Sequence, residues 1–148
     1  MRFLVINGPN INLLGLREPG IYGGESYAEL IAKIERHAEA IGVEVRCVQS
    51  NHEGALVDAI QAARGEYEGI VINPAAYTHT SIAILDALKA VALPAVEVHI
   101  SNVREREEFR RVSYAGMACE ASFIGLGLDG YLRGLDFLKK RLAGGAKA

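Results

Sequence analysis

Cysteine is scarce in this chain: Cys47 and Cys119 are the only two. That is too few for a disulfide scaffold. Neither stands in a CxxC pair or a His/Cys cluster, so a cysteine-rich metal site is not indicated. Both read as small buried hydrophobes in a reducing compartment. Long apolar runs are missing as well. A bilayer crossing takes about 20 consecutive apolar residues, and no segment supplies them. The opening stretch MRFLVINGPN is apolar only as far as Asn7-Gly8-Pro9 and has no small-residue cleavage site. It reads as a first strand rather than a signal peptide, and the cytoplasm is the expected location. An excess of charge is absent too: the formal net charge is -2, so no basic field draws in nucleic acid. There is no Walker lysine. The glycines between 125 and 130 lack GxGxxG spacing and follow the last strand rather than the first, so glycine-loop nucleotide binding has no support.

What the chain does have is the composition of a globular domain. Of 148 residues, 50% are apolar and 23% charged, enough for one core and inconsistent with disorder. No repeat or linker divides it, so residues 1–148 read as a single domain, with 143–148 as a frayed end. Runs rich in Val and Ile at 2–7, 43–48, 69–73, 95–100 and 122–126 alternate with segments of helical spacing. Ser26 with Glu29 forms a capping-box pattern. After it Leu30, Ile31, Ile34, Ala38 and Ile41 recur as one helical face, and Gly42 closes the segment. Three more helices follow: one through Leu56 and Ile60, one from Ile82 to Val91 before Pro94, and one from Tyr131 to Leu142. Alternating strands and helices, with strands apolar on both faces, predict an α/β fold. The expected form is a flavodoxin-like, five-stranded parallel sheet with helices on both faces.

Such sheets bind ligands beyond the carboxyl ends of their strands, so the polar residues there carry the functional reading. The first strand leads into Asn7-Gly-Pro-Asn10, the third into Asn73-Pro-Ala-Ala-Tyr77-Thr-His79, and the fourth ends in Glu97-Val-His99-Ile100-Ser101-Asn102. Three loops thus bring amides and imidazoles to one rim. A single histidine is more often structural than functional, but His79 and His99 share this rim. His37, in a charged helix, reads as solvent-facing, and His52 has no such company. The loop from Leu16 to Gly24 is either an exposed turn or an active-site lid with glycine hinges, carrying Arg17 and Tyr22. A guanidinium beside a phenol favours the phenolate, which makes Tyr22 a candidate general base. Ser101 or Asn102 can cap a short helix whose backbone N–H groups suit a carboxylate. The mixed-sign run 104–111 reads as a solvated face from which one arginine can turn inward.

Taken together, NGPNINLLGLREPGIYGG, QSNHEG, INPAAYTHTS, EVHISNVREREEFRRVSY and GLGLDGYLRGL resemble type II 3-dehydroquinate dehydratase over nearly the whole chain. The one small departure is Ala75, where members of that family commonly have Gly. The resemblance implies trans-dehydration of 3-dehydroquinate to 3-dehydroshikimate through an enolate, in the shikimate pathway or in quinate breakdown. It implies no metal, no cofactor and no lysine Schiff base. By the same resemblance Tyr22 is the base beside Arg17, and Asn10 serves the enolate oxygen. His99 protonates the departing hydroxyl, with Glu97 orienting its ring and Asn73 helping to position it. The backbone N–H groups of Ile100 and Ser101 hold the substrate carboxylate, and His79 and Arg110 contact the ring hydroxyls. Asp86 reaches in from a neighbouring subunit of a dodecamer of trimers. Independently of the resemblance, Asp86 stands among Ile82, Ile84, Leu85 and Leu88, which suggests a helix covered on more than one face.

Two rivals share the fold class. A flavodoxin-like binding or signalling module is one, although a phospho-acceptor domain wants acids after the first strand, and Asn-Gly-Pro-Asn stands there. A sugar-phosphate lyase or synthase is the other, and it wants a phosphate cradle that the sequence does not show.

Overall fold

The computed structural model describes residues 1–16 and 18–144. Five strands, β1 (Arg2–Asn7), β2 (Glu44–Gln49), β3 (Gly69–Asn73), β4 (Ala95–His99) and β5 (Ala121–Ile124), form one all-parallel sheet in the order β2-β1-β3-β4-β5. This is the flavodoxin-like order. Its switch point lies between β1 and β3, where the loops beyond the strand ends part in opposite directions and leave a crevice.

Successive strand residues point to opposite faces, and both faces are covered. Phe3, Val5, Val71, Val96 and Val98 pack with Leu30 and Ile34 of α2 (Tyr27–Ile41) and with Tyr131, Leu135 and Leu138 of α5 (Asp129–Gly144). Leu4, Ile6, Ile70, Ile72 and Ala95 pack with Leu56 and Ile60 of α3 (Glu53–Ala62) and with Ile84, Ala87 and Leu88 of α4 (Ile82–Val91). A one-turn helix α1 (Pro19–Tyr22) lies in the loop after β1. No helix among the described residues is long and apolar enough to cross a membrane.

Local chemistry sets the helix ends. The Ser26 hydroxyl accepts the Glu29 N–H at the start of α2, and Gly42 closes the helix in a left-handed conformation. Ser81 caps α4 in the same way by accepting the Ile84 N–H. Some boundaries differ from expectation. Val43 folds back, its N–H on the Ala38 carbonyl, so β2 begins at Glu44. Gly125, at φ 77°, turns the chain after Ile124 and ends β5 two residues before position 126. The last helix runs through residues 143 and 144 to Gly144; residues 145–148 lie outside the described residues.

Candidate active site

The crevice at the switch point is lined by Asn10 and Ile11 after β1, Tyr22 of α1, and Asn73, Ala75 and His79 after β3. His99, Ile100, Ser101, Arg106 and Arg110, from β4 and the turns that follow it, complete the lining. The crevice is partly open to solvent. Of the residues singled out from the sequence, Asn10, Tyr22, Asn73, His79, His99, Ile100, Ser101 and Arg110 therefore share one cleft. Glu97 stands directly behind it. Arg17 lies outside the described residues.

Close backbone approach builds the floor. The Gly8 N–H donates to the Asn73 carbonyl (2.8 Å), and a Cβ on Gly8 would sit 2.3 Å from the Pro74 carbonyl oxygen. Only glycine lets the β1 and β3 loops meet there. The Gln49 side-chain amide, at the end of β2, donates to the Gly8 carbonyl and to the side-chain oxygens of Asn12 and Asn51. Asn51 in turn accepts the Asn10 N–H (3.1 Å). Asn10 is held at φ 69°, a left-handed conformation that asparagine tolerates better than most residues.

Asn73 is 3% exposed and fully committed on its buried side. Its amide nitrogen donates to the Tyr131 hydroxyl (2.8 Å), and that hydroxyl donates to the Asn7 side-chain oxygen (2.7 Å). Tyr131 is buried, which pushes its phenol well above the ordinary range and keeps it neutral. The Asn73 side-chain oxygen accepts the Ala75 N–H (3.1 Å), with Ala75 at φ 54°. Ala75 thus occupies a backbone conformation that glycine adopts more cheaply, and its methyl packs at the edge of the core.

Strand alternation puts Glu97 and His99 on the same face of β4. His99 Nε2 lies 3.0 Å from the Glu97 carboxylate, and both side chains are about 4% exposed. Burial pushes the Glu97 carboxyl up, but hydrogen bonds from His99, Ser113 and Ser122 outweigh it and hold the group below the usual carboxylate value. An ionised carboxylate only accepts. The hydrogen of neutral His99 therefore sits on Nε2, and Nδ1 is the nitrogen left for the cleft. The His79 ring stacks against His99 at 6.3 Å between centroids, and His79 Nδ1 donates to the Val112 carbonyl (2.7 Å). Desolvation holds His79 below the ordinary histidine value, and neighbouring His99 and Arg110 act in the same direction.

The Tyr22 hydroxyl accepts a hydrogen bond from Arg106 Nη1 (2.8 Å), and the guanidinium also lies over the Tyr22 ring, 5.4 Å from its centroid. The same Nη1 reaches the Ser101 hydroxyl at 3.4 Å. Arg106 is thus the member of the 104–111 run that turns inward onto Tyr22, a role the sequence reading left unassigned within that run. Two consecutive 3-10 turns, Val103–Glu105 and Glu108–Arg111, carry it there. Asn102 caps the first by accepting the Arg104 N–H, so the cap is Asn102 and not Ser101. Arg110 Nε donates to Glu107 (2.7 Å).

One reading is corrected. His37 does not face solvent alone: its Nε2 pairs with Asp136 at 2.7 Å, tying α2 to α5. Asp86 is exposed on α4 and does not line the cleft, but three of its apolar neighbours, Ile84, Leu85 and Leu88, are buried within this same chain. Of the four, only Ile82 is exposed, at 55%.

The family model Dehydroquinase class II matches residues 1–139. A 3-dehydroquinate dehydratase of Geotalea daltonii is 53% identical over 135 residues, covering 91% of this chain and 94% of the relative. A protein named catabolic 3-dehydroquinase 1 of Aspergillus terreus is 56% identical over 128 residues, covering 86% and 84%. The crystal structure of type II dehydroquinase from Butyrivibrio crossotus superposes with a TM-score of 0.92 at 52% identity, covering 94% of this chain and 97% of that one. With the sheet order, the cleft and the match in agreement over nearly its whole length, this chain belongs to the class II dehydroquinase family.

Proposed function

We propose that this protein catalyses the trans-dehydration of 3-dehydroquinate to 3-dehydroshikimate. The observation that carries the reading is the pairing across one cleft of a guanidinium-bound phenol, Tyr22 with Arg106, and a carboxylate-backed imidazole, His99 with Glu97. Removing a proton α to a ketone requires a base and stabilisation of the resulting enolate oxygen. Tyr22, as phenolate, takes that proton; Arg106, and Arg17 by family resemblance, supply positive charge that favours the anion. Asn10 places a hydrogen bond or a bound water at the enolate oxygen. Collapse of the enolate expels the β-hydroxyl, and His99, as imidazolium, delivers the proton that lets it leave as water. The balance is one proton removed from carbon, one hydroxyl lost and one proton given to it, with no net redox change. Asn73 positions His99 and the leaving hydroxyl, the backbone N–H groups of Ile100 and Ser101 hold the carboxylate, and His79 and Arg110 contact the ring hydroxyls.

The rival flavodoxin-like binding or signalling role gains nothing from this chemistry, since neither binding nor signalling needs a matched base and acid. The reading also includes a cytoplasmic enzyme that works as a trimer-based dodecamer, with Asp86 of one subunit completing a neighbour's site. The test is ultraviolet absorbance, because the product is a conjugated enone and the substrate is not. Purified protein with 3-dehydroquinate gives a rising enone band. Tyr22→Phe lowers kcat by at least ~100-fold, in the usual range for loss of a general base, while KM changes little. Absence of the band with the unaltered protein, or near-normal turnover by the Phe variant, defeats the reading or its assignment of the base.

A further inference from the structure

Glu97 is the one buried acid among the described residues, and the surroundings of its two oxygens go beyond a simple contact with His99. Oε1 accepts the Ser122 hydroxyl and Oε2 accepts the Ser113 hydroxyl, each at 2.6 Å. Both lengths fall in the range of charge-assisted O–H···O⁻ bonds. The Ser122 contact follows from sheet register, because Glu97 on β4 pairs with Ser122 on β5. The Ser113 hydroxyl accepts the Gly116 N–H (2.9 Å), which directs its own hydrogen toward Glu97. Gly116 also leaves the space that the carboxylate fills. A Cβ there would lie 2.4 Å from Glu97 Oε1 and 2.8 Å from Ser113 Oγ, so this position in the turn Ala115–Ala118 has no room for a side chain.

We propose that Ser113 and Ser122 are positioning residues for His99. By donating to both oxygens of Glu97 they keep it an acceptor-only carboxylate, which confines the hydrogen of neutral His99 to Nε2 and presents Nδ1 to the cleft. The proposal rests on the reading of His99 as the acid, and it names what makes that acid directional. A protonated Glu97 would carry a hydrogen of its own and could meet His99 in either tautomer. The other titratable or charged groups facing this pair are His79, stacked on His99, Arg110 beside His79, and Cys119. Burial, with the Glu97 charge, pushes the Cys119 thiol up to about 12, so it stays neutral near pH 7. Arg110 is permanently charged.

Nitrogen-15 NMR of histidine-labelled protein tests this without substrate. The chain has four histidines, and a His99→Asn spectrum identifies the His99 signals. Unaltered protein at a pH where His99 is neutral shows the single Nε2–H tautomer. Ser113→Ala/Ser122→Ala shows a mixture of tautomers, and its kcat on 3-dehydroquinate falls about tenfold, as expected for lost hydrogen bonds to a charged group, with KM within about twofold. Ser122 is exposed on its outer side, so Ser122→Ala folds normally and shows the same change in smaller measure; Ser122→Thr, which keeps the hydroxyl, restores the single tautomer and most of kcat. An unchanged tautomer in the Ser122→Ala and double variants overturns the proposal, even if the enzyme is fully active. A tautomer change in a protein that never dehydrates 3-dehydroquinate leaves the serine pair standing and removes the functional reading instead.

Discussion

His79 shows how a single side chain can link the site to the stability of the fold. Burial, with His99 and Arg110 beside it, holds it below the ordinary histidine value, and its Nδ1 hydrogen is already given to Val112. Its neutral form is therefore favoured in the folded state, while in the unfolded chain it titrates near the usual value of about 6.5. The unfolded state binds more protons as the pH falls through that region, so the His79 contribution is complete above about pH 7 and is lost on acidification. Glu97 is also depressed, but its contribution is lost only lower, as the pH falls through the carboxylate range. Thermal melting between pH 7.5 and 5.5 separates the two. The fall in Tm across that window is shallower in His79→Gln than in the unaltered protein, and equal slopes would show that His79 titrates alike in both states. The same scale shows what the sequence could and could not convey. His79, His99 and Asn73 were legible because each stands at or just beyond the end of an apolar strand. Arg106 was not, because 3-10 turns impose neither the helical nor the strand period on the 104–111 run. Ser113 and Ser122 are ordinary polar residues whose partner is decided by strand register and a glycine turn.

The helices and strands were easier to read than their ends. Periodicity located every long helix, and the apolar runs located all five strands, because burial on both faces of a parallel sheet demands them. The boundaries shifted where one backbone angle decides, as at Gly125. The end of α4 shows this energetically. Ala92 closes it in the left-handed conformation, at φ 55°, with its N–H on the Leu88 carbonyl, where α2 uses Gly42 for the same purpose. Alanine pays a steric cost in that conformation that glycine does not. Ala92 is exposed, so removing its methyl forfeits little packing. Ala92→Gly therefore stabilises the protein by about 1 kcal/mol, which for a domain of this size raises Tm by roughly 2–4 °C. A lower Tm in calorimetry would mean that the capping geometry does not limit this helix.

At the scale of the whole molecule, the open question is where Asp86 acts. It projects from the exposed side of α4, outside the cleft of its own chain. If a neighbouring subunit receives it, as the proposed assembly requires, the site is a property of the oligomer. Asp86→Ala then lowers kcat/KM on 3-dehydroquinate at least tenfold while leaving the melting temperature nearly unchanged. Subunit exchange between Asp86→Ala and Tyr22→Phe proteins restores part of the activity, because some clefts combine Tyr22 of one chain with Asp86 of another. A fully active monomer in sedimentation, or no recovery after proven exchange, would exclude a shared site.

The hydroxyl of Tyr131 has a further consequence, which concerns the order in which the chain is made. It belongs to α5, the element synthesised after all five strands, yet its partners Asn7 and Asn73 end the first and third of them. Until α5 docks, the Asn7 side-chain oxygen and the Asn73 side-chain nitrogen lack the hydroxyl that bridges them, and Asn73, whose oxygen anchors the turn to Ala75, is held from one side only. A nascent chain can thus assemble its strands on the ribosome, but it acquires a catalytically competent rim only when its last helix emerges and closes over them.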